Sequence, residues 1–326
     1  MARRTTISLA ALAVTCAITV GCAAPEPSAN GKGDAAERIS VDNCGSRITL
    51  DAPPERILLV NNDALPNLEA LDAVGNVVAL TTRPQAGLYR AETNATLERL
   101  TPLTAAKNAT GGSIISKEAV LGVEPDLVIA PENAVDRGEL ESAGIAVFSP
   151  TAYCLEPGAD LTATATFDRV WSEMRSLGTL LGKKDLAEKA VTETPPMTRT
   201  PAPQADAAAL YVASGGAALS AYGASSMVTP VFEAAGLRNV YLDFRERVFD
   251  INVEDLIARD PDTIVLLHNG DPQQTIDNFR TNPGVSGLSA VRAGRVVALA
   301  FPYTDPPSML SVQGPRVLAE SLAALP

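Results

Sequence analysis

The sequence predicts an α/β protein built as two α/β lobes with mainly parallel sheets. Three observations predict it. Residues 115–130, ISKEAVLGVEPDLVIA, return 136 residues later as residues 251–266, INVEDLIARDPDTIVL, with Ile, Glu, Pro and Asp in register. Helical and apolar stretches alternate along the chain, the pattern of a parallel sheet with crossover helices. Beyond residue 38 the chain has roughly 290 residues, more than one hydrophobic core usually serves.

Each copy of the repeat opens on a helix N-cap, Ser116 or Asn252, and carries a glutamate two residues later, Glu118 or Glu254. A short amphipathic helix follows and ends at Pro125 or Pro261, which forbids its continuation. The apolar runs 127–130 and 264–267 then read as strands buried on both faces. Upstream, 39–50 predicts a hairpin around Asn43-Cys44-Gly45, 56–60 a strand, 66–74 a helix stopping at Gly75, and 77–81 a strand. After the first copy come a helix over 137–143, Gly144 as its cap, and a strand over 145–149. The second half predicts strands at 209–213 and 239–242, a helix at 225–235, and, after the second copy, a helix near 275–280, a strand at 295–299 and a last helix at 313–324. Between the halves, 167–181 has apolar residues at helical spacing, including Trp171, and 185–194 continues helical until Pro195-Pro196. Pro201 and Pro203 keep the next stretch extended. The resulting division is 39–160 for the first lobe, 161–207 for an inter-lobe helical and proline-rich connection, and 208–326 for the second lobe.

The N-terminus reads as an export signal over residues 1–21: Arg3-Arg4, then an uncharged stretch too short and interrupted for a comfortable membrane span. Residues 18–22, ITVGC, resemble a bacterial lipobox, which would make Cys22 the lipidated first residue of the mature chain. Residues 22–38, rich in Ala, Pro, Ser and Gly, predict a flexible tether. With Cys16 lost and Cys22 lipidated, Cys44 and Cys154 remain, and an oxidising compartment favours a disulfide between them over two free thiols. Loss of two arginines takes Lys+Arg from 26 to 24 against 38 acids, so the mature net charge is −14, which argues against a nucleic-acid partner.

Most familiar catalytic chemistry has no residues to run on. His268 is the only histidine, no G-x-S-x-G elbow is present, and one histidine with two pairing cysteines does not make a zinc or manganese site. Residues 178–184, GTLLGKK, lack a spacer and the final Ser/Thr of a phosphate loop. No cofactor is expected, and an exported enzyme working with carboxylates stays open as a separate class.

Asn43-Cys44-Gly45, the run 53–57 (PPERI), the stretches 118–129 and 254–266, and the lipobox together resemble bacterial ABC-transporter solute-binding lipoproteins for iron-siderophore, haem or cobalamin uptake, from about residue 40 to the C-terminus. The resemblance implies a helix-linked pair of lobes with a ligand cleft between them and no enzymatic activity. It also implies a monomer anchored by lipid to the outer face of the cytoplasmic membrane. Its partners would be a metal-chelate small molecule, a ferric siderophore first with haem or a corrinoid as alternatives, and the ABC permease subunits. By position, Glu118 and Glu254 match the two glutamates that dock such proteins onto their permease. A first-turn carboxylate is also stabilised by the helix dipole, so a plain helix-end role stays open for both. Ligands of α/β sheets sit beyond the C-terminal strand ends. That rule nominates Asn62, Asp63, Arg83, Tyr89, Arg90 and Asn133 in the first lobe and Tyr222, Arg245, His268 and Tyr303 in the second.

Overall fold

The computed structural model describes residues 38–107, 112–195, 205–213 and 218–325. The expected signal, Cys22, the tether up to residue 37, and Pro196, Pro201 and Pro203 lie outside the described residues.

The chain opens with a hairpin, β1 (Ile39–Asn43) and β2 (Ser46–Leu50), paired antiparallel. Its two-residue turn has Cys44 at φ 49° and Gly45 at φ 77°, the doubly left-handed geometry that matches the twist of the strands. Then follow β3 (Ile57–Leu59), α1 (Leu65–Ala70), β4 (Val77–Leu80), α2 (Ala91–Glu98), the small pair β5 (Ala106–Lys107) and β6 (Ser113–Ile114), α3 (Lys117–Leu121), β7 (Leu127–Ile129), α4 (Arg137–Ser142) and β8 (Ala146–Phe148). Strands β4-β3-β7-β8 form an all-parallel four-stranded sheet. Alternate side chains go to opposite faces, and both faces are buried. Ile57, Leu59, Leu127, Ile129 and Phe148 enter one core cluster, while Leu58, Val128 and Val147 enter another.

Three helices follow: α5 (Ala159–Thr162), α6 (Asp168–Leu180) and α7 (Lys184–Glu193). The predicted helix at 167–181 is α6, and its buried stripe of Val170, Met174, Leu177 and Leu180 joins the first-lobe core.

The second lobe contains β9 (Ala205–Val212), β10 (Leu219–Tyr222), α8 (Val228–Ala234), β11 (Leu237–Asn239), β12 (Val248–Ile251), α9 (Val253–Arg259), β13 (Thr263–His268), α10 (Pro272–Arg280), α11 (Ser289–Arg292), β14 (Val296–Ala300) and α12 (Met309–Ala323). The sheet order is β12-β10-β9-β13-β14, with β11 also on β9. Strands β11, β9, β13 and β14 are parallel, whereas β10 runs antiparallel to both β9 and β12. The strand predicted at 239–242 is displaced: it is β11, ending at Asn239, whose side chain turns inward to donate to the Tyr222 carbonyl and accept from the Tyr241 N–H.

The two repeat copies fold alike. Ser116 accepts from the Ala119 N–H and Asn252 from the Asp255 N–H, so both N-caps form as the sequence predicts. Glu124 and Asp260, each directly before the proline, adopt positive φ of 47° and 36°. The prolines are buried and the following strands start beyond them.

Candidate functional site

The lobes meet along a seam of named contacts. Asn67, fully buried on α1, donates to the Pro307 carbonyl and accepts from the Met309 N–H at the start of α12. The Ala165 N–H reaches the Ala224 carbonyl at 2.9 Å, and Arg169 of α6 donates to the Ser225 carbonyl. A cavity of about 270 Å³ opens on the seam between α1 and α12, lined by Glu69, Tyr89, Arg90, Met309 and Gln313 among others.

Beside these contacts a polar chain crosses from one lobe to the other. Asp63, four residues past the end of β3, accepts from the Tyr153 hydroxyl at 3.0 Å. The Arg247 guanidinium lies 4.9 Å over the Tyr153 ring and is ion-paired with Asp305. Asp305 is 1% exposed and Arg247 22%, so the acid is sealed in while the arginine side chain stays partly exposed.

Each member is held from behind. Tyr153 stands next to Cys154, whose disulfide to Cys44 has a Cα–Cα distance of 5.1 Å, as the cysteine count predicts. Asn43 clasps the same segment, donating to the Ser149 carbonyl and accepting from the Ser149 N–H at 2.8 Å each. The Asn43-Cys44-Gly45 turn is therefore a clamp on the loop that carries Tyr153. Glu173, 1% exposed on α6, accepts from the Thr151 N–H and hydroxyl through one oxygen, and its other oxygen has no partner among the described residues. The Arg247 carbonyl accepts from the Gly223 N–H, where the backbone passes so close to the Glu246 and Phe244 carbonyls that a Cβ has no room. Gly314 of α12 likewise lets the helix rest on the Tyr303 carbonyl.

Burial dominates the electrostatics. It pushes the Asp63 carboxyl up to about 6, against the opposing pull of Tyr153 and Arg247, and pushes Glu173 up to about 7. Burial also raises the Tyr153, Tyr89 and Tyr222 phenols, so all three stay protonated. It lowers Arg247, but Asp305, Tyr153 and Tyr222 outweigh it and hold the guanidinium charged above its ordinary value.

The structure gathers Asp63, Tyr89, Tyr222 and Tyr303 of the nominated set around the seam: Tyr89 feels both Asp63 and Tyr303, and Tyr222 packs on Phe301 and feels Arg247 and Asp305. Asn62 donates to the Arg83 carbonyl, Arg83 is exposed and reaches the Glu98 carbonyl, and Arg90 pairs with Glu69. Asn133 and Arg245 are exposed. His268 is buried with Nδ1 against the Gly270 carbonyl at 2.7 Å, and burial lowers its pKa. Tyr153, Arg247 and Asp305 were not among the nominated residues. Away from the seam, Glu118 and Glu254 are both exposed in first helical turns, each followed one turn later by an exposed aliphatic residue, Leu121 at 41% and Ile257 at 44%. No group of His, Cys, Asp and Glu among the described residues is arranged to hold a metal ion, and no described helix is long and apolar enough to cross a membrane.

Known proteins share this fold. The chain is 35% identical to a structure titled as an ABC-type Fe3+-hydroxamate transport system from Saccharomonospora viridis, over 87% of this chain and 99% of that one, with a TM-score of 0.80. A periplasmic heme binding protein from Pseudomonas aeruginosa shares the fold at 21% identity, over 84% of this chain and 94% of that one, with a TM-score of 0.64. A cobalamin-binding protein of Halobacterium salinarum is 26% identical over 319 residues, 94% of this chain and 80% of its own length. The sequence profile described as "Periplasmic binding protein" matches residues 60–303, from the end of β3 through the turn that carries Tyr303. Two α/β lobes closing on a buried polar seam thus have a family: the chain belongs to the periplasmic binding proteins, which bind solutes outside the cytoplasm and are not enzymes.

Proposed function

We propose that the chain is the solute-binding component of an ABC importer, tethered by lipid on Cys22, that captures a ferric siderophore between its lobes and delivers it to a membrane permease. The observation that carries this reading is the Arg247 guanidinium, held by Asp305 and Tyr153 at the inter-lobe seam on a partly exposed side chain. A fixed planar donor fork suits the oxygen ligands of an iron chelate. The 35% identity to a protein described as an Fe3+-hydroxamate transport system supports the cargo. Asp63, Tyr89, Tyr222 and Tyr303 would line the cargo with Tyr153 and Arg247, while exposed Glu118 and Glu254 would engage the permease. In domain terms, 1–21 is the signal, 22–38 the tether, 39–160 and 208–326 the lobes, and 161–207 the connection.

A second reading, cobalamin as cargo, is favoured by the Halobacterium relative, whose similarity spans 94% of this chain. Titrating the purified protein with ferric siderophores, haem and cobalamin, read by calorimetry and by the fluorescence of the lone Trp171, separates the two. Saturable ferric-siderophore binding at micromolar Kd or tighter, weakened about 10-fold or more by Arg247→Ala, is the expected result. Binding of cobalamin or haem alone overturns it.

A further inference from the structure

The loop that carries Tyr153 is gripped at both ends by one largely buried polar cluster of the first lobe. Its members come from four elements: Asn43 ends β1, Glu132 follows β7, Arg137 opens α4 and Ser149 follows β8. At the near end, Arg137 Nη2 donates to the Ser149 hydroxyl at 3.2 Å and to Asn43 Oδ1 at 3.0 Å, the same oxygen that receives the Ser149 N–H. At the far end, the Leu155 N–H donates to one carboxylate oxygen of Glu132, and the other oxygen lies 3.7 Å from that same Nη2. The Arg137 and Glu132 side chains are 12% and 15% exposed, so solvent screens the pair little.

Tyr153 lies between the two grips, four residues after Ser149 and two before Leu155. Its hydroxyl reaches Asp63, and its face supports Arg247 from the other lobe. A cation over an aromatic face depends on where that face sits, so the course of this loop sets the place of the guanidinium. One guanidinium joins both grips, and among these side chains it is the only cation. It does so at a cost: Arg137 Nε and Nη1 are buried with no partner among the described residues. Unpaired buried donors weigh against stability, and such exceptions concentrate where a site needs a fixed geometry. We infer that Arg137 is a positioning residue of the cargo site: through Asn43, Ser149 and Glu132 it fixes both ends of the 149–155 loop and thereby holds the Tyr153 ring under Arg247. The inference rests on the reading of the seam as the cargo site and adds to it a residue that acts through Tyr153. The disulfide fixes the same loop covalently at Cys154, whereas Arg137 sets its two ends.

The test uses the full oxidised protein carrying Arg137→Gln, and a second variant that joins it to Glu132→Gln. The pair leaves no buried charge without its partner and keeps an acceptor for the Leu155 N–H. Amide hydrogen exchange, which needs no cargo, should quicken about 10-fold or more over residues 149–155 in both variants, with β9 and β13 as protected as in the parent. A merely structural role would quicken exchange across both lobes. With ferrichrome as the probe, calorimetry should show Kd weakened about 10-fold by Arg137→Gln. Tyr153→Ala, which weakens Kd by a similar factor alone, should cost nothing more in the Arg137→Gln background. Unchanged exchange over 149–155, exchange quickened equally in both lobes, or losses from Arg137→Gln and Tyr153→Ala that simply add, each overturns the inference while the siderophore reading stands. A parent protein that binds haem or cobalamin and not ferrichrome overturns the siderophore reading, and exchange together with the same pair of substitutions on the ligand that binds still decides the role of Arg137.

Discussion

The two copies of the helix-to-strand unit, α3 to β7 and α9 to β13, are capped alike and stopped alike, yet they sit in differently built sheets. In the first lobe β7 lies between β3 and β8, both parallel to it. In the second, β13 lies between parallel β9 and β14, but the sheet continues past β9 into antiparallel β10 and β12. That antiparallel edge carries the loop that puts Arg247 on the seam, and the first lobe answers with a disulfide-clamped loop that puts Tyr153 under it. A duplicated core unit thus supports two unlike halves of one site. Local signals fix the unit, and the additions around it divide the labour.

The largest expected effect tests whether the copies remain equivalent on their outer surface. On the proposed docking role of Glu118 and Glu254, replacing Glu118→Lys and Glu254→Lys together should cut solute uptake by about 100-fold or more with solute Kd unchanged. Uptake assays on the single reversals then sharpen the comparison: equal losses mean the lobes share docking, and undiminished uptake in the double variant breaks the equivalence.

Next in size is the feature that only the first lobe has. The Cys44–Cys154 bridge closes a loop spanning 110 residues, which in the chain-entropy account stabilises the fold by about 4 to 5 kcal/mol. Cys44→Ser with Cys154→Ser should lower the denaturation free energy by about that amount, with hydrogen exchange rising first around Thr151 and Tyr153. A loss spread evenly over both lobes would show that the clamp does not act locally.

Smaller still is a pH effect centred on Glu173. Its carboxyl sits near 7 in the fold against an ordinary 4.5, so the folded state binds the extra proton between those values. Its contribution to stability is therefore present below pH ~4.5 and is lost as pH rises through ~7, by about 3 kcal/mol. Asp63, near 6, adds a slope of the same sign in the lower part of that window. Glu173→Gln should flatten the urea-denaturation free energy between pH 4.5 and 8 relative to the parent protein, and an unchanged slope would assign the titration elsewhere.

Much of the scaffold was legible because its signals are local. Ser116, Asn252, Pro125 and Pro261 mark helix ends without help from the rest of the chain, and the apolar runs after the prolines announce strands buried on both faces. The cysteine count led to the disulfide by the same kind of economy. The antiparallel strands β10 and β12 escaped notice: they are four residues each, and Val248 and Asp250 of β12 are exposed, which hides the continuous apolar signature. The consequence reached the site. The rule that ligands gather beyond C-terminal strand ends assumes parallel strands, so it stopped at Arg245, whereas Arg247 precedes an antiparallel strand. Tyr153 and Asp305 come from loops about 150 residues apart, a proximity that no periodicity encodes. Tyr303 lies just past the end of β14, a strand the sequence announces, whereas Tyr222 ends β10, which it does not, and Tyr89 sits well beyond β4 in the run up to α2.

The clamp between Asn43-Cys44-Gly45 and the Tyr153 loop ties the placement of Tyr153 to the redox state of its surroundings. With thiols in place of the bridge, the aromatic platform beneath Arg247 loses its covalent restraint. Oxidation fixes the platform, so the loop that carries Tyr153 is held fast only in surroundings where the bridge can form and last.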